Sequence, residues 1–296
     1  MPDKVKTRYG IAEWYGREFT FLDAPQRKIY AEHALGESAA KAPVCPFQPD
    51  QPPCSKRGGV CSMQRYKEDR NGRLGESVGE PVIMCPRRFE ADGLVYKWLA
   101  QAADFPIHET EVAKEVPFMR STETNKPAGK IDMIVAHQDG ERLQWHGLEI
   151  QAVYFSGQGM ESEFKALRDD LSEPPPFPSA NRRPDWRSSS AKRLMPQLQI
   201  KAPTVRRWGA KLAVAVDQPF FDAIGGPSNQ LSHDLNEGDI IWLVARIERA
   251  FNGALHLAQA HWEVLTLEDS NKRLQAAETI SREGFEEALR SRLRPL

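Results

Sequence analysis

All four cysteines of this 296-residue chain (Cys45, Cys54, Cys61 and Cys85) lie before residue 90, in a stretch rich in proline and glycine. Residues 36 to 87 carry no sustained helical or strand period, so alone they bury little apolar surface against the entropy of ordering them. Such a segment needs a cross-link or a metal to hold a shape. Periodic sequence begins directly after it. The chain therefore reads as two parts: residues 1–88, an N-terminal segment with a small four-cysteine metal-binding module, and residues 89–296, a core domain.

The cysteines are separated by 8, 6 and 23 residues, and none forms a C-x-x-C pair. Three touch proline, in Cys45-Pro46, Pro53-Cys54 and Cys85-Pro86, and Gly58-Gly59 precedes Cys61, which suits tight turns around a ligand. Met1 to Tyr9 does not resemble a signal peptide, and no apolar run approaches the roughly 18 residues that span a bilayer. The expected home is the cytoplasm, where two disulfides are disfavoured. Four free buried thiols are one reading. A tetrahedral thiolate site is the preferred one, because every cysteine clusters in the segment that lacks a core. Chemistry alone names zinc, and four sulfurs suit iron as well. Four protein ligands leave no open position, so the metal's part is structural.

After this segment, Phe89 to Phe105 places Leu94, Trp98 and Leu99 at helical spacing, with Pro106 as the stop. Three strand-like runs follow: Glu111 to Met119, Gly129 to His137, and Arg142 to Phe155. Asp139-Gly140 joins the last two as a hairpin turn. A helical stretch from Gly159 to Leu171 ends at Pro174-Pro175-Pro176, and an arginine-rich loop runs to Ser190. A further helix is predicted over Ala191 to Trp208, interrupted near Pro196 and Pro203. Lys211 to Val216 reads as a buried strand. Asp239 to Ala250 and Ala254 to Leu267 read as a second hairpin turning at Asn252-Gly253, and short helices from Ser270 and Ser281 close the chain. This order predicts an α/β fold with a mixed β-sheet flanked by helices.

The net charge of −1 argues against a general nucleic-acid coat protein, but the charge is sorted along the chain. Between Asn181 and Lys211 stand Arg182, Arg183, Arg187, Lys192, Arg193, Lys201, Arg206, Arg207 and Lys211 against Asp185 alone, a segment charge of +8. From Leu212 to the end, 13 acidic and 8 basic residues leave −5. The basic segment reads either as a solvated face or as a phosphate-contacting surface whose arginines can also meet guanine edges. Of the two tryptophans within it, Trp186 and Trp208, Trp208 is expected in the core. The seven histidines have no ligand spacing and read as structural or surface residues. No glycine-rich phosphate loop is present, which speaks against ATP-driven chemistry.

The sharpest chemical feature is Asp132, in Gly129-Lys130-Ile131-Asp132, followed by Glu149-Ile150-Gln151. Glu149 and Gln151 are two apart, so on a strand they leave the same face. The Asp139-Gly140 hairpin then brings Asp132 close to Glu149. Two converging carboxylates are what magnesium needs, because it takes oxygen ligands and keeps several waters. Such an ion activates water against a phosphodiester. The ordinary alternative is two unrelated carboxylates on half-buried strands.

With its helix, strand pair and basic segment, this pattern resembles the PD-(D/E)XK nuclease core, in which Asp and a downstream (Asp/Glu)-x-Lys bind metal and water. Here Gln151 stands where lysine is usual, and an amide supplies hydrogen bonds but no positive charge. A Glu-x-Gln variant is characteristic of the NotI-like type II restriction endonucleases. The resemblance to that family extends to the cysteine segment, to Lys192-Arg193-Leu194-Met195-Pro196-Gln197-Leu198, and to Arg206-Arg207-Trp208-Gly209. It implies a catalytic cluster of Asp132, Glu149, Gln151 and an earlier glutamate, best matched by Glu115 with Glu111 second. It also implies Mg2+ at Asp132 and Glu149, and iron in a rubredoxin-like tetrathiolate at the cysteines. Sequence-specific hydrolysis of double-stranded DNA is the expected activity, with Arg182, Arg183, Arg187, Lys192, Arg193, Arg206 and Arg207 as DNA-binding candidates. Cutting both strands calls for a homodimer. A host carrying such an enzyme needs its own sites protected, so a cognate DNA methyltransferase is a candidate partner. The competing readings are a nicking or repair nuclease of the same fold and a non-catalytic, metal-stabilised DNA-binding protein.

Overall fold

The computed structural model describes residues 6–250, 253–275 and 280–294. The N-terminal part does have a core, contrary to what its proline, glycine and broken period predict. Strands β1 (Thr7–Trp14) and β2 (Arg17–Glu18), helix α1 (Ala24–Leu35), and strands β3 (Val60–Glu68) and β4 (Leu74–Ile83) build it. The strands form an antiparallel sheet in the order β2-β1-β3-β4. Helix α1 is set by a capping box between Asp23 and Gln26 and ends at Gly36, whose φ of 76° is the left-handed cap glycine favours. Ile11, Trp14, Val60, Met63 and Tyr66 pack with Ala31, Phe164 and Leu167, and Trp14 stacks on Phe164 with centroids 5.5 Å apart. The expected period was broken by polar residues that are themselves inside. Glu13 accepts from Ser62 Oγ and from Arg88 Nε, both at 2.9 Å, and Gln64 donates to the carbonyls of Val78 and Gly79.

The second part begins with α2 (Leu94–Ala102), followed by β5 (Thr110–Arg120), β6 (Pro127–Asp139) and β7 (Arg142–Ile150). Next come β8 (Phe155–Ser156), α3 (Glu161–Asp169), β9 (Arg183–Pro184), α4 (Trp186–Ser189), a π-helical turn at Ser190–Leu194 and α5 (Met195–Arg207). Strand β10 (Leu212–Asp217), α6 (Gln218–Ala223), β11 (Ile240–Arg249), β12 (Leu255–Leu265), α7 (Leu267–Leu274) and α8 (Arg282–Arg290) complete it. A six-stranded sheet runs β12-β11-β10-β7-β6-β5. It is mixed, as expected: β10 is parallel to β7 and β11, and the other pairs are antiparallel. One face packs Val135, Leu148 and Leu243 against Val95 and Leu99 of α2; the other packs Val214 and Trp242 against Leu198 and Val205 of α5.

Several boundaries differ from expectation for local reasons. The third strand run stops at Ile150, because Val153 leaves the sheet to donate to the Ile83 carbonyl. The expected interruption near Pro196 takes the form of the π-helical turn Ser190–Leu194 just before it, whereas α5 runs through Pro203 unbroken. Thr266 caps α7 four residues before the expected Ser270, while Ser281 caps α8 as expected. Asn252 of the second hairpin turn lies outside the described residues. Among the described residues no helix is long and apolar enough to cross a membrane. The two sheets are tied by buried polar links. Ile83 N–H donates to Asp217 at 2.6 Å, and Arg88, bound to Glu13, also donates to the Leu255 carbonyl at 2.9 Å.

Candidate active site

The β6–β7 hairpin pairs Asp139 with Arg142 and runs in register to Met133 with Leu148, so the next facing positions are Asp132 and Glu149. Asp132 N–H donates to Glu149 Oε1 at 3.3 Å. On the other side of β6, β5 pairs Lys114 with Met133 and Val116 with Ile131, which sets Glu115 opposite Asp132. Three neighbouring strands thus carry Glu115, Asp132 and Glu149 in one row. Glu111 pairs with Ala136 and is outside that row.

The three carboxylates differ in setting. Glu149 is 1% exposed and lies on the α5 side of the sheet, while Leu148 packs on the α2 side. Burial pushes its pKa up to about 7; the Asp132 charge adds to the rise and Lys201 opposes it. Glu115 is exposed and reaches out to Lys130 Nζ at 2.9 Å, whose hydrogen bond holds it below the usual carboxylate range. Its φ of 52° is unusual for a non-glycine residue within a strand, a costly conformation that concentrates at functional sites. Asp132 and Glu115 line a cleft of about 770 Å³ with Lys56, Cys85, Glu90 and Lys114.

Gln151 follows the end of β7, its N–H held by the Ala215 carbonyl. It lines a second cavity of about 490 Å³, together with Tyr154, Lys192, Arg193 and Gln197, and its amide donates to the Ala152 carbonyl at 2.5 Å. The two cavities share Met84, Pro86 and Ile150.

The residue that sequence reasoning missed is Lys201. Its Nζ lies 2.6 Å from Glu149 Oε2, with both side chains enclosed. It had been counted in the basic segment. The signal for an inward position was present in Leu198, Lys201, Ala202 and Val205, the buried stripe of α5 at helical spacing.

The basic segment splits. Arg182 is 4% exposed and pairs with Glu163, with further donation to the carbonyls of Gln158 and Gly159. It is not presented to a partner, which corrects its place among the DNA-facing candidates. Arg183, Arg187, Lys192 and Arg193 are exposed, and the Arg193 guanidinium lies over the Tyr154 ring at 4.0 Å. Arg206, which faces Asp239 at 3.3 Å, and Arg207 sit exposed at the far end of α5. Trp208, expected in the core, is 54% exposed with its ring tilted against Trp145, whereas Trp186 packs on the core beside Phe220.

The cysteines form two neighbouring pairs, and none of the four is in a disulfide. Cys45 and Cys54 flank the Val44–Pro53 bridge, and Cys85 N–H donates to the Cys61 carbonyl. Burial raises the Cys61 and Cys54 thiols, and Cys54 feels both Cys45 and Cys85. Among the described residues no group of three or more Cys, His, Asp or Glu side chains is arranged to hold a metal ion. As a donor set the four sulfurs suit zinc or iron; Asp132 and Glu149 are oxygen donors of like charge, which suit magnesium.

Residues 29–257 match the family model described as restriction endonuclease NotI, and the match covers most of the chain. The chain belongs to the NotI restriction endonuclease family. These are type II restriction endonucleases, hydrolases of DNA phosphodiester bonds. No curated protein and no solved structure matches the chain. Membership gives the row on β5, β6 and β7 a chemical context that geometry alone does not supply.

Proposed function

We propose that this NotI-family chain cleaves double-stranded DNA at a specific sequence in a Mg2+-dependent reaction centred on Asp132 and Glu149. The observation that carries the reading is the pairing of these carboxylates at one point of the sheet, where burial first and Asp132 second disfavour the ionised form of Glu149. Two like charges brought together in that way are stabilised by a cation. When bound, magnesium polarises the phosphodiester and lowers the pKa of the attacking water. Asp132 and Glu149 would hold it, with Glu115 assisting from β5. Gln151 orients the water or the scissile phosphate by hydrogen bonds. Lys192 and Arg193, lining the cavity beside Gln151, meet phosphates, with Arg193 steadied over Tyr154. Arg183, Arg187, Arg206 and Arg207 extend that surface.

The four cysteines are read as ligands of a structural iron or zinc. The residues fit by donor chemistry, and one of them, Cys85, lines the same cleft as Asp132. A homodimer is proposed because two strands must be cut, and a cognate methyltransferase because host sites need protection. Incubating the protein with a panel of long genomic DNAs, in Mg2+ and in EDTA, tests the reading. Discrete Mg2+-dependent fragments are expected from wild type and none from Asp132→Ala or Glu149→Ala. A variant that cuts at the wild-type rate overturns the assignment. Bound but uncut DNA across the panel would instead favour a non-catalytic binding protein.

A further inference from the structure

The buried cations of this protein are not all held alike. Arg182 meets Glu163 and two backbone carbonyls; Arg88 meets Glu13 and the Leu255 carbonyl; Arg27 meets Glu173 and the carbonyls of Leu22 and Ser172. Each is tied to backbone as well as to its counter-charge, the pattern of a structural ion pair. Lys201 differs. Its ammonium has three donors, and among the described residues its one recorded acceptor is Glu149 Oε2. A buried pair with donors left over is a poor device for stability alone, since apolar residues of similar volume often do as well. Gln197, one turn earlier on α5, lines the cavity of Gln151, so this face of the helix runs from that cavity to Glu149.

We infer that Lys201 is a positioning residue of the carboxylate site: a fixed positive charge, brought from α5, that orients Glu149 and replaces the charge Gln151 does not carry. This rests on the nuclease reading of Asp132 and Glu149. The ammonium sets Glu149 Oε2 and leaves Oε1 toward Asp132. It also competes with any cation drawn to the same carboxylate. Removing it therefore has two opposite effects, slower cleavage and tighter cation binding, and a merely structural lysine gives neither in that combination.

The test compares Lys201→Met, Lys201→Gln and Lys201→Arg. Mn2+ binding to metal-free protein without DNA is followed by electron paramagnetic resonance. Single-turnover cleavage is measured at saturating Mg2+ on a fragment that wild type cuts, and DNA binding is measured in Ca2+. The expected result for K201M and K201Q is cleavage slower by about 10²-fold, the loss typical of one preorganised donor. Mn2+ binding should be severalfold tighter and DNA binding unchanged, with K201R recovering most of the rate. If K201M folds poorly, the contrast between K201R and K201Q carries the same comparison. Cleavage within threefold of wild type in K201M or K201Q, or Mn2+ binding no tighter, overturns the inference. If wild type cuts no DNA at all, the nuclease reading fails, while the Mn2+ titration still decides whether Lys201 guards the carboxylates.

Discussion

Glu149→Gln and Asp132→Asn each remove one carboxylate charge from the same point of the sheet, yet the structure assigns them different costs. In E149Q the Lys201 ammonium stays enclosed and loses its counter-charge. Breaking a buried pair from one side costs about 3–5 kcal/mol. The glutamine oxygen still accepts a hydrogen bond, so about 2–3 kcal/mol is expected. Asp132 is half-buried, and among the described residues its carboxylate has no hydrogen bond or ion pair; its recorded effect is repulsion of Glu149. D132N should therefore change stability by less than about 0.5 kcal/mol, or raise it slightly. Urea unfolding in EDTA at pH 8 measures this. With a slope near 3 kcal/mol/M for a chain of this size, E149Q should lower the midpoint by roughly 1 M and D132N hardly at all. Both should lose cleavage. An E149Q protein as stable as D132N would refute the buried-pair argument, whatever happened to activity.

Acid should weaken the fold through His146. Its Nδ1 accepts the Lys211 N–H at 3.0 Å, and burial together with the Lys211 charge pulls its pKa down to about 4. The unfolded chain takes that proton near 6.5, so this stabilisation is present above pH 6.5 and lost as pH falls toward 4. At most it is about 3 kcal/mol, less for partial exposure. His146→Asn should flatten unfolding midpoints over that window, and an unchanged slope sinks the idea. Arg193→Ala should reduce the salt dependence of DNA binding by about one counterion, read as the slope of log K against log salt in Ca2+. Arg182→Ala should leave that slope alone and cost about 3 kcal/mol of stability by stranding Glu163. Elemental analysis should find one iron or zinc per chain, absent from Cys85→Ser; wild type purified without bound metal would contradict the thiolate reading.

The central β5–β6–β7 unit and the buried strand β10 were legible because their signals are local. Asp139-Gly140 fixes a turn, and the turn fixes register. From the turn at Asp139-Gly140, counting back to Asp132 and forward to Glu149 reaches facing positions. The N-terminal sheet was not legible in that way. Its inward positions include Glu13, Ser62 and Gln64, and each is satisfied by a residue elsewhere in the fold. A pattern that equates inward with apolar breaks at such residues. Helix α1, by contrast, is bounded by local caps, Asp23 with Gln26 at its start and Gly36 at its end.

The basic segment shows the same limit from the side of charge. Counting from Asn181 to Lys211 measures how much charge a stretch carries, and says nothing of where each charge finds its partner. Arg182 is neutralised by Glu163, 19 residues earlier, and Lys201 by Glu149, 52 residues earlier. Neither pairing is a property of its own neighbourhood. Position within a helix is such a property, and it separates Lys201 from the arginines around it. Leu198, Ala202 and Val205 mark the face of α5 that meets the sheet, and Lys201 falls on it, whereas Arg206 and Arg207 do not. A cation on an apolar stripe must be paired or used inside, because burying it alone costs too much. The stripe therefore directs Lys201 to a carboxylate within the fold, and Glu149, buried on the same side of the sheet, is the one it reaches.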